Sequence, residues 1–322
     1  MKSIRLKQVV PYLGLFLVVV VFAIATGGKS LTGRNLKTIL EQMLVTGIMS
    51  VGYLFTMAAG ALDYSCGSVF AVSSMTLALA SQINPWLALL VGIITACVLN
   101  GIIGGIITRF HVPSSIIGQS SNFAIRGLVK FMVATHGAYS IPLSMHSLNQ
   151  FSLRLGIYIF LFLLGFYLFH FTKFGYEVRA VGSGQVVSRY SGVDVEKTRL
   201  LAFVFSGVSI GAAAWVSIVR ASTAGATSGN TLSMDLLLAM VLGGMDISGG
   251  FQSRFISSLL GCLYMIVLSN GLILIEVDVA TQQLLKGLMF VFTMYITSRD
   301  LDGKAPKDKE NTKKADQIIV EA

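Results

Sequence analysis

The sequence predicts an all-α, polytopic membrane protein, a bundle of about ten transmembrane helices joined to one polar loop. Of its 322 residues, 54% are hydrophobic and only 12% are charged, and the mean hydropathy is +0.76. Charge-free runs of about 18 residues or more, enough to cross a hydrocarbon layer as a helix, recur along the chain. Their glycine, leucine and isoleucine content is typical of membrane helices rather than of alternating barrel strands.

Ten candidate spans follow in chain order. The run from Tyr64 to Thr108 carries no charge and exceeds the roughly 20 residues of one span. Asn84-Pro85 near its middle favours a turn, so we divide the run in two. Asp63, Asp235 and Asp246 border or interrupt the third and eighth spans, which are the least regular. The predicted spans are 9–27, 39–61, 66–83, 86–108, 113–134, 154–172, 200–219, 232–248, 254–272 and 279–298.

The other spans rest on similar observations. The first follows a basic N-terminus, and without a convincing small-residue cleavage site it is predicted to be an uncleaved span rather than a signal peptide. The fifth contains Arg126 and Lys130, one turn apart on one helical face, unless it is a short span that ends before them. Further charge-free runs predict the second, sixth, seventh and ninth spans: Gln42–Leu62, Leu155–Thr172, Leu200–Val219 and Phe255–Ile275.

A polar segment (residues 173–199) separates the sixth and seventh spans. Lysine and arginine concentrate in this segment, at the N-terminus and in the C-terminal residues, so we predict that the segment and both termini are cytoplasmic. We divide the chain into a transmembrane domain, 1–298, and a charge-dense, disordered cytoplasmic tail, 299–322. This topology accounts for most of the net charge of +9, and no nucleic-acid partner is expected.

No pattern in the chain indicates catalytic chemistry. Cys66, Cys97 and Cys262 lie in apolar stretches without short spacing, so neither a metal site nor a disulfide framework is predicted. The four histidines form no ligand-spaced cluster, and Gly28-Lys29-Ser30 lacks the leading glycine of a phosphate-binding loop. We therefore predict no catalytic residue, no metal and no cofactor. An intramembrane enzyme would need a constellation of nucleophiles or ligands that the spans do not contain.

A transporter without nucleotide chemistry uses an ion gradient or a separate ATPase. Gradient-driven carriers often place carboxylates near the bilayer midplane. Here the acidic residues of the membrane region lie near predicted span ends, and the polar segment instead suits docking of an ATPase from the cytoplasm. A gradient-driven secondary carrier remains the alternative.

The residue order of the polar segment resembles the coupling segment of ABC transporter permeases of the ribose and simple-sugar type. Residues 174–182, FGYEVRAVG, and 186–193 resemble the family's AVGGNPEAARLSGI region. Residues 62–68, LDYSCGS, are similar to IDLSVGS, and residues 242–250, LGGMDISGG, to LGGTSLSGG. Together with NG and VPSSIIG within residues 100–118, the resemblance covers about residues 35 to 298.

The resemblance implies an ATP-driven importer in the cytoplasmic membrane of a prokaryote. Two permease copies, identical or homologous, would enclose a pathway along their interface. Two ATPase subunits would each receive one polar segment, and an extracytoplasmic binding protein would deliver a simple sugar. A branched-chain amino-acid permease shares this architecture and remains a second alternative, although residues 62–68 and 242–250 favour the carbohydrate branch.

Two groups of residues are candidates for these roles. Asp63 is predicted either to cap a helix at a break or to line the pathway. Asn100 and Asn270 either face the pathway or bond neighbouring helices. The candidate pathway residues are Asp63, Ser65, Ser68, Asn100, Asn122 and Asn270. The candidate ATPase-coupling residues, which alternatively keep the segment folded through internal salt bridges and caps, are Glu177, Arg179, Gly182, Arg189, Gly192 and Asp194.

Overall fold

The computed structural model describes residues 2–302, with side chains for residues 11–293, and it confirms the all-α fold class. Most of the predicted tail at 299–322 therefore lies outside the described residues. Two short strands, β1 (Tyr139–Ser140) and β2 (Thr223–Ala224), pair antiparallel, and a 3-10 turn covers Lys29–Leu31. The helices are α1 (Lys2–Ala25), α2 (Gly33–Ala58), α3 (Cys66–Ser81), α4 (Pro85–Phe110), α5 (Ser114–His136), α6 (Leu143–His146), α7 (Phe151–Phe171), α8 (Lys173–Ser183), α9 (Gln185–Tyr190), α10 (Val195–Ala221), α11 (Leu232–Leu242), α12 (Ile256–Leu274) and α13 (Val279–Asp302).

Each of the ten predicted spans coincides with a helix. Among the described residues, α2, α4, α7, α10 and α12 are long and apolar enough to cross a membrane. Shorter apolar helices are formed by Pro11–Ala25 within α1, by α3 and by α11. The remaining two spans correspond to α5 and α13, which are long but contain more polar residues.

The eighth predicted span is too long by six residues. Residues 232–248 were expected to form one helix, but α11 ends at Leu242. The chain turns at Gly243-Gly244, where Gly244 has a φ of 84°, a conformation that glycine adopts without strain. Beyond the turn, apolar and polar residues alternate in Met245-Asp246-Ile247-Ser248, and these residues do not continue the helix.

Contacts divide the chain into two compact units, Met1–Glu276 and Val277–Ala322. In the described part of the second unit, α13 begins after Asp278, whose Oδ2 accepts a hydrogen bond from the Thr281 amide at 3.1 Å. Hydrogen bonds from Thr281 hold the pKa of the Asp278 carboxyl below its usual value. The first unit contains the helices that form the candidate site.

Helix α10 lies at the centre of the first unit and packs against α4, α2 and α3. Gly207 and Gly211, one turn apart, face the backbone of α4. A Cβ atom at Gly207 would lie 2.7 Å from the Cα of Cys97, and one at Gly211 would lie 2.5 Å from the Cα of Ile93. The two backbones therefore approach more closely than larger side chains would permit, as small residues spaced by four allow in membrane bundles.

The first unit contains two similar arrangements of a long helix, a break, a short helix and another long helix. These are α2–α3–α4 and α10–α11–α12. Their packing is reciprocal, because α4 packs on α10 while α12 packs on α2. Asn100-Gly101 of α4 and Asn270-Gly271 of α12 occupy corresponding parts of the two arrangements. The same order of elements therefore occurs twice in the first unit.

Candidate functional site

The polar segment is a folded element rather than a flexible linker. It consists of α8, α9 and the first turn of α10. The Thr172 Oγ1 accepts a hydrogen bond from the Gly175 amide at 3.3 Å and caps α8. Gly192, with a φ of 79°, turns the chain after α9. The Asp194 Oδ1 then accepts a hydrogen bond from the Lys197 amide at 3.0 Å and caps α10.

Gly182 attaches the polar segment to the end of α2. A Cβ atom at this position would lie 2.0 Å from the Ala58 carbonyl oxygen and 2.6 Å from the Gly250 amide nitrogen. The next residue adds a polar contact, because the Ser183 Oγ accepts a hydrogen bond from the Phe251 amide at 2.9 Å. The segment is therefore in direct backbone contact with both α2 and the connection between α11 and α12.

Aromatic rings strengthen this attachment. The rings of Phe174 and Phe55 stack at 5.5 Å between centroids. The Arg179 guanidinium lies 5.0 Å from the centre of the Phe169 ring, within the range of a cation–π interaction. Because Phe55 belongs to α2 and Phe169 to α7, motion of α8 would be transmitted to two long helices.

Most charged candidates of the polar segment make contacts within the segment or with its neighbours. Glu177 pairs with Lys173 at 3.3 Å, and the Arg179 Nε donates to the Gly175 carbonyl at 3.0 Å. With the cap formed by Asp194, these contacts match the predicted alternative in which such residues keep the segment folded. Arg189 also forms a salt bridge within the segment, with Glu196 in the first turn of α10 at 3.2 Å, and in addition it contacts His111 outside the segment.

Sequence reasoning missed two features around α9, an exposed apolar face and an ion pair with α10. Val186, Val187 and Tyr190 are 67%, 70% and 90% exposed, and they form an apolar face on a short helix (the α9 apolar face). The second feature is Glu196, which accepts a hydrogen bond from Arg189 at 3.2 Å. The spacing of valines and tyrosine at i, i+1 and i+4 was a signal for the first, whereas the ion pair crosses a turn and has no periodic signal.

A cleft of about 390 Å³ lies between α9, the start of α10 and the turn joining α4 to α5 (the α9–α10 cleft). Arg189 and Glu196 line it with His111, whose Nε2 lies 3.4 Å from Glu196 and 3.2 Å from Arg189. Arg199 contributes a second guanidinium. The lining residues are Gly60, Leu62, Ile107, Thr108, His111, Val112, Pro113, Ser114, Ser115, Gln185, Arg189, Val195, Glu196, Arg199 and Ile247.

Three of the candidate pathway residues lie together at the break before α3. Asp63, Ser65 and Ser68 are all buried. The predicted capping position was wrong by two residues: Ser65 is the N-cap of α3, and the Asp63 Oδ1 accepts hydrogen bonds from the Ser65 amide, at 2.9 Å, and from its hydroxyl.

The break before α3 meets the break before α11. The Ser233 Oγ accepts a hydrogen bond from the Gly67 amide at 2.8 Å and lies 3.4 Å from the Cys66 Sγ. In the connection that precedes α11, the Ser228 carbonyl accepts a hydrogen bond from the Arg126 Nη1 of α5 at 2.7 Å. Two short helices thus begin against each other inside the bundle, and α5 continues past Arg126 to His136 instead of ending early.

The three asparagine candidates are separate from one another. The Asn100 Nδ2 of α4 donates to the Phe203 carbonyl of α10 at 3.3 Å, and the Asn270 Oδ1 accepts from the Asn35 Nδ2 at 2.8 Å. Both side chains therefore bond helices or helix ends together in this structure. Asn122 lies on α5 and is partly exposed. The six candidates do not converge on one cavity of the described residues.

Comparison with known proteins decides the family. The family described as "Branched-chain amino acid transport system / permease component" matches residues 35–294 of the chain. The chain belongs to this permease family. With the helices described above, the permease is a multi-pass membrane protein.

Several relatives of the permease have names that specify a cargo. It is 28% identical to the ribose import permease protein RbsC of Bacillus subtilis (strain 168). This similarity extends over 302 residues, or 90% of this chain and 92% of that one. It is 25% identical to the Escherichia coli (strain K12) RbsC, over 83% of this chain and 87% of that one. The xylose transport system permease protein XylH of Haemophilus influenzae is 24% identical, over 92% of this chain and 97% of that one. No solved structure matches the permease.

Proposed function

We propose that the permease is the membrane subunit of an ATP-driven importer that moves a simple sugar across the cytoplasmic membrane. The observation that carries this proposal is the similarity, over at least 83% of the chain, to permeases named for ribose and xylose. The family description names branched-chain amino acids instead, so an amino-acid permease is the second candidate. The names of the relatives favour the sugar.

The proposed partners follow from this role. A separate ATPase subunit hydrolyses ATP, an extracytoplasmic binding protein delivers the sugar, and a second copy of the permease or a homologue completes the pathway. The permease domain spans residues 1–298, and both termini and the polar segment face the cytoplasm. Exposed apolar side chains on the long helices, such as Ile94 of α4 and Phe160 of α7, face lipid or the second copy.

The α9 apolar face is the proposed contact with the ATPase. Three large apolar side chains exposed together on a six-residue helix are a typical feature of a surface that another protein covers. The other side of the segment is fixed to α2 through Gly182 and Ser183. A push on α9 would therefore move α8 and the end of α2 as one body, which is what transmission of ATP-driven motion requires.

The pathway is proposed to run along the interface of two permease copies. Among the six candidate residues, Asn122 is the one that is partly exposed in this structure. The buried candidates, Asp63, Ser65, Ser68, Asn100 and Asn270, hold breaks and helices together here, and they would reach the pathway after a rearrangement of the bundle. The hydroxyl and amide groups of the serine and asparagine candidates suit the hydrogen-bonding groups of a sugar better than an ionic cargo.

Reconstitution tests the proposed function. Proteoliposomes that contain the permease, its ATPase and its binding protein should accumulate radiolabelled ribose or xylose when ATP is supplied to the ATPase side. Leucine uptake in the same vesicles is the control for the amino-acid alternative. Uptake that follows an imposed proton or sodium gradient without ATP would contradict the proposal and identify a secondary carrier.

A further inference from the structure

The α9–α10 cleft carries more positive than negative charge. Arg189 and Arg199 line it with two guanidinium groups, while Glu196 is its one carboxylate among the described lining residues. Glu196 is already engaged by Arg189 at 3.2 Å and by His111 at 3.4 Å. The charge of Arg199 is therefore left without a counter-ion inside the cleft.

Arg199 is the most informative residue of the cleft. Its Nε and Nη2 donate to the carbonyl oxygens of Ala59 and Gly60 at 3.4 and 3.3 Å, near the upper limit for a hydrogen bond. Within the described residues, no carboxylate lies within ion-pair distance of this guanidinium. An arginine side chain keeps its proton, and a partly desolvated cation that bonds only neutral carbonyls favours an anion as its next neighbour.

The remaining lining groups suit a small polar solute. Ser114, Ser115 and Gln185 add two hydroxyl groups and an amide to the wall of the cleft. The volume of about 390 Å³ lies at the lower end of the range of roughly 300–1,000 Å³ that holds small ligands. Two guanidinium groups match the paired oxygens of a phosphate group better than a single carboxylate.

The geometry points to a phosphate-binding site in the α9–α10 cleft, in which a phosphate monoester binds the guanidinium of Arg199 of α10 and the guanidinium nitrogens of Arg189 of α9 other than the Nη2 that contacts Glu196. Such a ligand ties α9 to the bundle from the cleft side. If α9 is the coupling element, as proposed above, the bound ester restrains its motion and slows ATP hydrolysis by the assembled importer. The site thereby gives cytoplasmic phosphorylated solutes control over import.

The two faces of α9 argue against a side chain of the ATPase as the occupant. Gln185 and Arg189 are four residues apart and line the cleft on one face of α9. The α9 apolar face, formed by Val186, Val187 and Tyr190, lies on another face and is exposed. An ATPase that covers the apolar face leaves the cleft open to a solute between α9 and the bundle.

Thermal unfolding of the purified full-length permease tests the site without the ATPase. Ribose 5-phosphate should raise the apparent Tm saturably, by about 3 °C, and unphosphorylated ribose should not.

Arg199→Gln should weaken the affinity for ribose 5-phosphate roughly tenfold or more, because it removes a charge-assisted contact. Arg189→Gln is the second variant, since the side chains of Arg189 and of its partner Glu196 are both half-exposed and the substitution leaves no buried charge unpaired. Arg109→Gln, at an exposed arginine outside the cleft, should leave the shift unchanged.

The source of the phosphate group is resolved by two further arms. Inorganic phosphate that reproduces the shift supports recognition of the group itself. Phosphatidic acid, a lipid whose headgroup is a phosphate monoester, supports a lipid headgroup in the same site if it displaces ribose 5-phosphate in mixed micelles, and a lack of competition supports a soluble ester. An equal shift in wild type, Arg199→Gln and Arg189→Gln, or no saturable shift with any phosphate, overturns the site.

The regulatory step is tested separately in the assembled importer. Ribose 5-phosphate should lower sugar-stimulated ATP hydrolysis in wild type and have no effect on Arg199→Gln. Binding without any change in hydrolysis overturns the restraint of α9. The binding measurement uses the permease alone, so failure of the proposed sugar import or of ATPase coupling leaves its result intact.

Discussion

At the scale of single residues, the polar segment depends on contacts that side-chain chemistry alone does not reveal. Arg189 is half-exposed, yet it contacts both Glu196 of α10 and His111 at the end of α4. Gly182 carries no side chain, yet its position against Ala58 and Gly250 fixes α8 to the bundle. These two residues join α9 and α8, respectively, to the rest of the permease.

Reversing the charge of Arg189 should uncouple the importer. Arg189→Glu places a second carboxylate beside Glu196, and repulsion between them should separate α9 from α10. Sugar-stimulated ATP hydrolysis in the reconstituted complex should fall roughly tenfold, a typical size for coupling between sites, while expression stays normal. Arg109→Glu makes the same charge change on an exposed part of α4 and should keep coupling. Equal stimulation in both variants would remove Arg189 from the coupling residues.

Adding a methyl group at Gly182 should destabilise the permease. The new Cβ of Gly182→Ala would lie 2.0 Å from the Ala58 carbonyl oxygen, and overpacking of this kind typically costs about 1–3 kcal/mol. Gly127→Ala in α5 is the matched control, because a Cβ there meets nothing within 4 Å and alanine favours helix. Thermal unfolding in detergent should show a lower Tm for Gly182→Ala only. An unchanged Tm would mean that α8 does not pack on α2 as described.

At the scale of elements, α9 is a short helix with two different faces. One face lines the α9–α10 cleft with polar groups, and the other exposes Val186, Val187 and Tyr190. A six-residue helix has little stability of its own. Its position therefore depends on the contacts that α8 and α10 provide on either side.

A charge on the α9 apolar face should abolish docking of the ATPase. Val187→Asp replaces a side chain that is 70% exposed, so the folded permease tolerates it, but burial of the carboxylate under an ATPase would cost several kcal/mol. Co-purification of the ATPase with the tagged permease should be lost. Val187→Thr keeps the shape of the side chain and should retain docking. Normal recovery of the ATPase with Val187→Asp would show that it binds elsewhere.

The positions of the membrane elements could be predicted from the sequence, but many of their ends could not. Long apolar runs predict α2, α4, α7, α10 and α12 because hydrocarbon thickness sets their length. The ends of α11 and α3 depend on tertiary packing, as the turn at Gly243-Gly244 and the Gly67–Ser233 contact show. For the same reason, the sequence identified Asp63 as a residue at a break but placed the helix cap two residues early.

At the scale of the whole molecule, the first unit contains two reciprocally packed arrangements, α2–α3–α4 and α10–α11–α12. Such reciprocity would let both halves respond to a displacement of the polar segment, because α2 contacts α8 and also packs on α10 and α12. The candidate site residues were harder to predict than the fold. Residues such as Arg189 and Glu196 meet across a turn, and only the folded chain brings them together.

The assembled importer should contain two permease chains. One chain of 34.5 kDa would provide half of the proposed pathway, and each copy would present one polar segment to one ATPase subunit. Native mass measurement of the detergent-solubilised complex should give two permease chains and two ATPase subunits. A complex with one permease chain and neither a second copy nor a homologue would contradict the proposed pathway.

A disulfide cross-link between the starts of α3 and α11 can test whether these helices move relative to each other during transport. Cys66 already provides a thiol 3.4 Å from the Ser233 hydroxyl, so Ser233→Cys would bring two thiols within reach of a disulfide bond. Copper-phenanthroline should cross-link this variant and stop sugar uptake, and dithiothreitol should restore it; wild type, with the same treatment, is the control. Sugar uptake that persists after complete cross-linking would show that the starts of α3 and α11 keep their relative position during transport. The junction would then act as a pivot about which the halves of the permease turn.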